Sequence, residues 1–450
     1  MLSLRFAVLL VLVPILIALS LRRPLWGVFS LLLMYYFRPD VWGKPVWWRP
    51  VEWLTIATLL SWLIRAKDIR FERGLGLSLI FLGTMLVSTM SAARSSEVSL
   101  DATETILKLV VMQFICVQVI RDLNTVMTFL WVNVLANLWT LKSALVQTIF
   151  GSGVRVDVGA AQGGGANYLA MTFVMTLPLL YFRFLKGTPR ERKLAMAIIP
   201  LEIIGCVGTG SRGGFLTLFF VFGFLAVRSG QKLKGFMLAL AFGLVFLIAV
   251  PDAQWNRFVN TFKGDGKESA SQNSRLGLWK VGLQLFKESP IVGVGHDNYQ
   301  LLSPRYYGFF AGQNPIPYDP ALEGQKGYTG FVAHSTWVQS LADGGILGSI
   351  PFFALFAWAM WTLYRVRRAR IPPGELESVR EISQIIEGTM WAFIIASSFA
   401  SHMKLDFLWY YFGAIGAFGI IVRRREAQVR RETREAYEAT ARSRAVPVGS

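Results

Sequence analysis

Apolar residues in this chain come in long runs separated by short polar connections. A bilayer core about 30 Å thick needs roughly 20 apolar residues per helix, and about a dozen such runs fit between Phe6 and Val422. The pattern predicts an all-α polytopic membrane protein. Spans are expected near Phe6–Phe37, Val51–Ile64, Leu75–Ala92, Thr105–Ile120, Val126–Phe150, Ala166–Leu185, Leu194–Gly208, Phe215–Val227, Phe236–Val250, Thr336–Tyr364, Thr389–Ser401 and Phe407–Val422. Arg22, Arg23 and Pro24 interrupt the first, which reads as one broken span or two short ones. The run Phe6 to Leu19 follows Arg5, lacks a small-residue cleavage site and is expected to be retained.

The connections set the expected topology. Lys and Arg concentrate at Arg65–Arg73, Arg183–Lys193, Arg228–Lys234 and Arg365–Arg370, which fall on one side if the spans alternate, and that side is expected to be cytoplasmic. Ala93–Glu104, Gly151–Gly165, Ser211–Gly214 and the long stretch Pro251–Ser335 then face outward. In the long stretch Trp255, Phe258, Trp279, Leu283 and Phe286 recur at roughly helical spacing, which predicts one or two short amphipathic helices against the membrane surface. The chain divides into an N-terminal membrane part (1–250), a large outer loop (251–335), a C-terminal membrane part (336–422) and a basic tail (423–450) expected to be a frayed helix.

Composition sharpens this picture at three points. Of 450 residues, 53% are hydrophobic and only 16% charged, which excludes an ordinary soluble domain. The net charge of +18 would suit nucleic acid, but the cations sit in connections and tail, so the charge reads as topology and no nucleic-acid partner is expected. Both cysteines, Cys116 and Cys206, lie inside apolar runs and imply neither a disulfide framework nor metal ligation.

Candidate chemistry gathers on the outer side. Arg212, in Gly210-Ser211-Arg212-Gly213-Gly214, sits at a span boundary where glycines let a ligand approach and a guanidinium can bind phosphate through two parallel bonds. The alternative is a snorkelling interface arginine. Arg275, in Asn273-Ser274-Arg275, precedes an amphipathic segment, and a helix starting near Ser274 would aim its N-terminal dipole at an anion; it also reads as a surface arginine. Lys263, Lys267 and Lys280 read as solvated charges.

The three histidines are a short inventory. His334, at the end of the long loop, can accept a hydroxyl proton as a neutral imidazole, or be a backbone-satisfied interface residue. His296, in Gly293-Val294-Gly295-His296-Asp297-Asn298-Tyr299, could bind sugar or phosphate or hold a glycine-rich turn. His402, beside Lys404 and Asp406, reads as structural. Asp157, Asp265, Asp297 and Asp319 are scattered outer carboxylates able to orient His334. No Asp-x-Asp pair, His–carboxylate cluster at metal spacing or Walker-type loop is present, so no metal or other cofactor is expected, and arginines would stabilise an anionic leaving group.

Two longer motifs carry a resemblance. Ser289-Pro290-Ile291-Val292-Gly293-Val294-Gly295 through Asn298-Tyr299, then His334-Ser335-Thr336-Trp337-Val338-Gln339-Ser340-Leu341-Ala342-Asp343-Gly344-Gly345-Ile346-Leu347-Gly348, resemble the signature of the O-antigen ligase family. Ser211-Arg212-Gly213-Gly214, Asn273-Ser274-Arg275 and Gly165-Ala166-Asn167-Tyr168-Leu169-Ala170 are similar to further motifs of that family. Tyr35-Tyr36-Phe37-Arg38-Pro39 resembles its exosortase-associated O-glycosylation branch. The resemblance implies about twelve helices of GT-C-like architecture, a large periplasmic loop and metal-independent inverting glycosyl transfer in the bacterial inner membrane. It also implies an undecaprenyl-diphosphate-linked glycan as donor and the lipid A–core oligosaccharide as acceptor. His334 would be the catalytic base, Arg212 and Arg275 would bind the diphosphate, and His296 and Asn167 would line the substrate site. Gly163-Gly164-Gly165-Ala166 stands where relatives carry Gly-Asn-Pro, a departure that touches Asn167.

Polysaccharide polymerases and protein O-oligosaccharyltransferases share this architecture and donor and differ in acceptor. A transporter for the lipid-linked glycan is a third reading, and it predicts charges at mid-membrane depth and broken spans.

Overall fold

A computed structural model describes residues 4–37, 49–66, 68–150, 165–230, 267–311 and 330–445, with isolated helical positions at 233, 237 and 240. The described residues contain helices and no strands. In chain order they are α1 (Leu4–Arg22), α2 (Pro24–Phe37), α3 (Pro50–Arg65), α4 (Arg73–Met90), α5 (Ser96–Val119), α6 (Leu123–Phe150), α7 (Gly165–Lys186), α8 (Pro189–Gly208), α9 (Arg212–Arg228), α10 (Lys267–Glu288), α11 (Asn298–Ala311), α12 (Thr336–Val366), α13 (Pro373–Ala396) and α14 (Asp406–Ala445).

The interrupted first run is two helices, divided at Arg23 where Pro24 cannot continue the backbone ladder. Of the expected span Phe236–Val250 only positions 237 and 240 are among the described residues, both helical. Five of these described helices, α4, α5, α6, α7 and α12, are both long and apolar enough to cross a membrane. The other expected spans form helices that fall short of that measure for visible reasons. α9 has 17 residues, α13 opens on the charged stretch PGELESVRE, and α8 carries Glu202 after a charged first turn. The outer boundary also shifts: Ala93–Glu104 is a connection only to Ser95, whose hydroxyl caps α5 by accepting from the Val98 amide.

The core forms where apolar faces meet. α7 is buried over almost its whole length, from Ala166 to Phe182, and packs against α6, α8, α9 and α13. The first half of α14, from Phe407 to Phe418, fills a second centre against α5 and α12. Outward, Val11, Leu63, Ile80, Phe219 and Ile350 stay exposed on separate helices, a surface suited to lipid rather than water. Glu202 is one of the charged residues in the interior. It is fully buried and accepts from the Thr176 hydroxyl, which gives it a partner in place of water.

One end of the bundle is stapled by ion pairs. Asp68 takes Arg121 and Arg424 at 3.1 Å each, Arg425 pairs with Glu375 at 2.8 Å, and Arg183 pairs with Glu381. Glu387 takes both Arg228, at 3.0 Å, and Arg367. The basic segments expected on one side therefore meet at one end. The tail continues α14 as a helix to Ala445, largely exposed, with Arg430–Glu426 and Arg434–Glu438 pairs one turn apart.

The loop segment holds α10 and α11, which pack on each other and on α12. The buried face of α10 is Leu278, Val281 and Leu285, while Leu283 is exposed. The expected stripe through Trp279, Leu283 and Phe286 is thus displaced by one position, because the buried face of the helix is set by α11 and α12. Trp255 and Phe258 lie outside the described residues.

Candidate functional site

The end opposite the ion pairs is built around a break in α12. Gly345 adopts φ 58°, ψ −160°, which frees the backbone groups on either side of it. The segment after α10 fills the gap: Val294 N donates to Ala342 O (3.0 Å) and Gly295 N to Asp343 O (3.0 Å), while Ile346 N and Leu347 N donate to Pro290 O (2.8 Å) and Ile291 O (2.9 Å). Every one of those contacts joins the two long motifs. A Cβ on Gly345 would lie 2.5 Å from Ile291 O, and one on Gly293, itself at φ 71°, 2.3 Å from Asp343 O, so both glycines are required by backbone approach. The Asp343 carboxylate then accepts from the Tyr299 amide (2.9 Å) and caps α11. Asn298 ties the same turn to α5, accepting from Ser95 N (2.7 Å) and donating to Ser99 Oγ (2.8 Å).

A second clamp forms where α12 starts. Ser335 caps the helix, and Thr336 gathers the connection between α13 and α14: its amide donates to Ser397 O (2.8 Å) and its hydroxyl accepts from His402 N (2.8 Å) and donates to Ala400 O (2.9 Å). Trp337 Nε1 donates to Ser398 Oγ at 3.1 Å. His334, the residue before the cap, is forced to φ 49°, and Asp297 sits at φ 61°, a conformation that costs energy for any side chain beyond glycine and concentrates at working sites.

Between these clamps lies a cavity of about 750 Å³ lined by all three histidines, together with Asp297, Asp343, Lys404 and Asp406. Lys404 forms an ion pair with Asp297. His296 and His402 are both 2% exposed, and their Nε2 atoms have no hydrogen-bond partner among the described residues. Burial pushes the His296 imidazole down to about 4, with Asp297 opposing and Lys404 assisting. Burial, then the charge that His334 could carry, pushes His402 down to about 3. Both rings are therefore neutral near pH 7, with an open ring nitrogen in a desolvated wall. The His296 ring packs against Phe81, with centroids 5.9 Å apart, and the His402 ring against Tyr168 at 6.0 Å.

Of the five residues singled out by sequence, His334 and His296 line this cavity, and Arg212, Arg275 and Asn167 do not. Arg212 opens α9 after the Ser211 cap, half-buried, with Gly213 packed on Phe399 in the connection that carries His402. Asn167 accepts from Ser211 Oγ (2.7 Å) and donates to Phe399 O (3.3 Å), so it braces α7 and α9 against that connection. Arg275 is half-buried on α10. Sequence reasoning passed over His402, Asp343, Lys404 and Asp406. The signal was present for one of them, since the chain has only three histidines and each had reason to be weighed equally. Among the scattered carboxylates Asp297 reaches the cavity, while Asp157, Asp265 and Asp319 lie outside the described residues. The Tyr35-Tyr36-Phe37 motif is packed inside: Tyr35 hydroxyl meets Tyr168 hydroxyl, Tyr36 donates to Asn133 Oδ1 (2.6 Å), and Phe37 stacks on Trp139. Arg38 and Pro39 lie outside the described residues.

A family model described as O-Antigen ligase matches residues 195–353, from within α8 to the middle of α12. It is the family that the motifs resemble, and the matched stretch contains Arg212, Arg275, His296, His334 and Asp343. No curated protein matches the chain.

Proposed function

We propose that the protein is an O-antigen ligase, a multi-pass inner-membrane glycosyltransferase. It moves a glycan from undecaprenyl diphosphate to a hydroxyl of the lipid A–core oligosaccharide, in the cavity ringed by its three histidines. The observation that carries this reading is the convergence of those histidines, from two segments of the matched stretch and from the α13–α14 connection, on one cavity. The excess of Lys and Arg at the ion-paired end supports reading that end as cytoplasmic and, with it, the cavity as periplasmic.

In this reading His334 is the general base. Its imidazole takes the proton of the acceptor hydroxyl as the oxygen attacks the anomeric carbon, and the carbon–oxygen bond to the diphosphate breaks on the opposite side, which inverts the anomeric configuration. The neutral His296 and His402 rings accept hydrogen bonds from sugar hydroxyls. Arg212 and Arg275, which stand outside the cavity lining, are assigned the diphosphate where the carrier lipid leaves the cavity, each by charge-assisted hydrogen bonds worth about 1.5–3 kcal/mol. No step is assigned to a metal ion, and transfer is expected to persist in chelator.

The test is a transfer assay with the purified chain in proteoliposomes, supplied with lipid-linked glycan and lipid A–core. The expected product is glycan-bearing lipid A–core with stoichiometric release of undecaprenyl diphosphate, lost in His334→Ala. Growth of the carrier-linked glycan with lipid A–core left unmodified would replace the ligase by a polymerase. Movement of intact donor across the bilayer without release of the diphosphate would replace it by a transporter.

A further inference from the structure

We propose that a second cavity, at the basic end between α4, α12 and α14, binds the phosphate of an anionic membrane lipid. It encloses about 500 Å³ and is lined by four arginines, Arg73, Arg365, Arg368 and Arg423. Two carboxylates line it, and both are engaged elsewhere. Glu72 accepts from Gly74 N and Leu75 N at 2.6 Å each, capping α4, and Glu426 pairs with Arg430 (3.0 Å) and accepts from Arg370 N (3.3 Å).

Among the described residues, none of the four cavity arginines has a carboxylate within ion-pair distance, although Arg367, Arg424 and Arg425 immediately beside them all do. A bundle that pairs its neighbouring arginines but leaves four converging ones unmatched has a surplus of two positive charges in one pocket, counting four arginines against two carboxylates. Burial holds Arg423 below its ordinary value, with Glu72 opposing and Arg365 and Arg73 adding smaller repulsions. Planar guanidinium forks match phosphate oxygens well.

Depth identifies the anion as a lipid headgroup. The pocket lies where two helices able to cross a membrane end, at the first residue of α4 and the last turn of α12. Its rim is aromatic and exposed: Trp361 stacks on Tyr364 at 5.4 Å, and the Arg368 guanidinium lies 4.4 Å above the Tyr364 ring. Trp and Tyr favour headgroup depth, and basic pockets between helices at this level suit phospholipid phosphates. Exposed Leu79 and Ile80 on α4 extend the apolar wall that acyl chains would follow.

The experiment uses the full chain, delipidated in detergent and titrated with dioleoyl phosphatidylglycerol or dioleoyl phosphatidylcholine, with retained lipid counted by native mass spectrometry. Phosphatidylglycerol is expected to be retained at least tenfold more tightly than phosphatidylcholine. That preference should fall about tenfold in Arg365→Gln/Arg423→Gln and persist in Arg424→Gln/Arg434→Gln, which removes the same charge outside the pocket. The single variant Arg368→Gln, on an exposed rim residue, should lower it severalfold if the double variant does not fold. Equal retention of the two lipids, equal loss in the control pair, or displacement of the lipid by inorganic phosphate at matching concentration would each overturn the proposal.

Discussion

The two ends of this bundle solve the same problem, polar groups removed from water, in opposite ways. At the basic end charge meets charge: Glu387 takes two arginines from α9 and the α12 terminus, and Asp68 takes two more. At the cavity end the dominant polar groups are neutral imidazoles with open ring nitrogens, two non-glycine residues hold left-handed backbone, and the principal ion pair is Lys404 with Asp297. Ion pairs fix helices relative to each other. Unfilled hydrogen-bonding capacity and strain are tolerated where a ligand will complete them, and the surrounding clamps at Thr336 and Gly345 hold that arrangement in place.

The comparison is sharpest at His334. If the cavity end is built for chemistry, His334→Ala should cut glycan transfer by roughly 10²–10⁴-fold while thermal unfolding stays near that of the parent, because a positioned base contributes about that factor. A variant that unfolds early, or one that transfers normally, would move His334 to the structural side.

Gly345→Ala tests the clamp itself. The added Cβ would sit 2.5 Å from Ile291 O at φ 58°, so the α12 break should no longer close on the Pro290–Gly295 segment. A loss of roughly 1–3 kcal/mol in denaturant stability is expected, together with loss of transfer. The neighbouring helix-surface variant Gly83→Ala, with open space around its Cβ, should be neutral or slightly stabilising.

At the other end Glu387→Ala should strand Arg228 and Arg367 side by side. Glu387 and Arg367 are 11% and 12% exposed, and Arg228 is 36% exposed, so the cost should be about 1–3 kcal/mol rather than the full penalty of a buried charge. Transfer per folded molecule should be preserved. A catalytic defect without a stability defect would erase the division between the two ends.

The smallest effect is a pH dependence confined to the cavity end. Both buried histidines titrate lower in the fold, near 4 and 3, than the value of about 6.5 expected when unfolded. Between those values the unfolded chain binds more protons, so stability rises with pH. Their contribution is complete above about pH 6.5 and is lost as pH falls toward 4. Unfolding midpoints measured from pH 7 to 4 should decline, and His402→Gln should flatten the decline; identical slopes in parent and variant would mean that His402 is solvated.

The sequence by itself determined the helices, the likeness to a family and the grouping of the basic clusters, because those follow from local runs of apolar residues, from contiguous motifs and from charge counts in connections. It also marked the glycines of the two long motifs, though without their reason, which is the approach of two backbones that are separate in the chain. Tertiary structure decided what meets what. His402 reads as structural from its neighbours in sequence, yet the Thr336 clamp carries it to the cavity wall; Asp343 becomes a cap for α11 only when Pro290–Gly295 docks into the α12 break. Which face of α10 is buried likewise depends on α11 and α12, and the four unmatched arginines at the basic end come from three separate helices and their flanks. Periodicity gives each helix its apolar side, but only packing of several helices decides which polar side chains share a space and which of them are left with bonding capacity to spare.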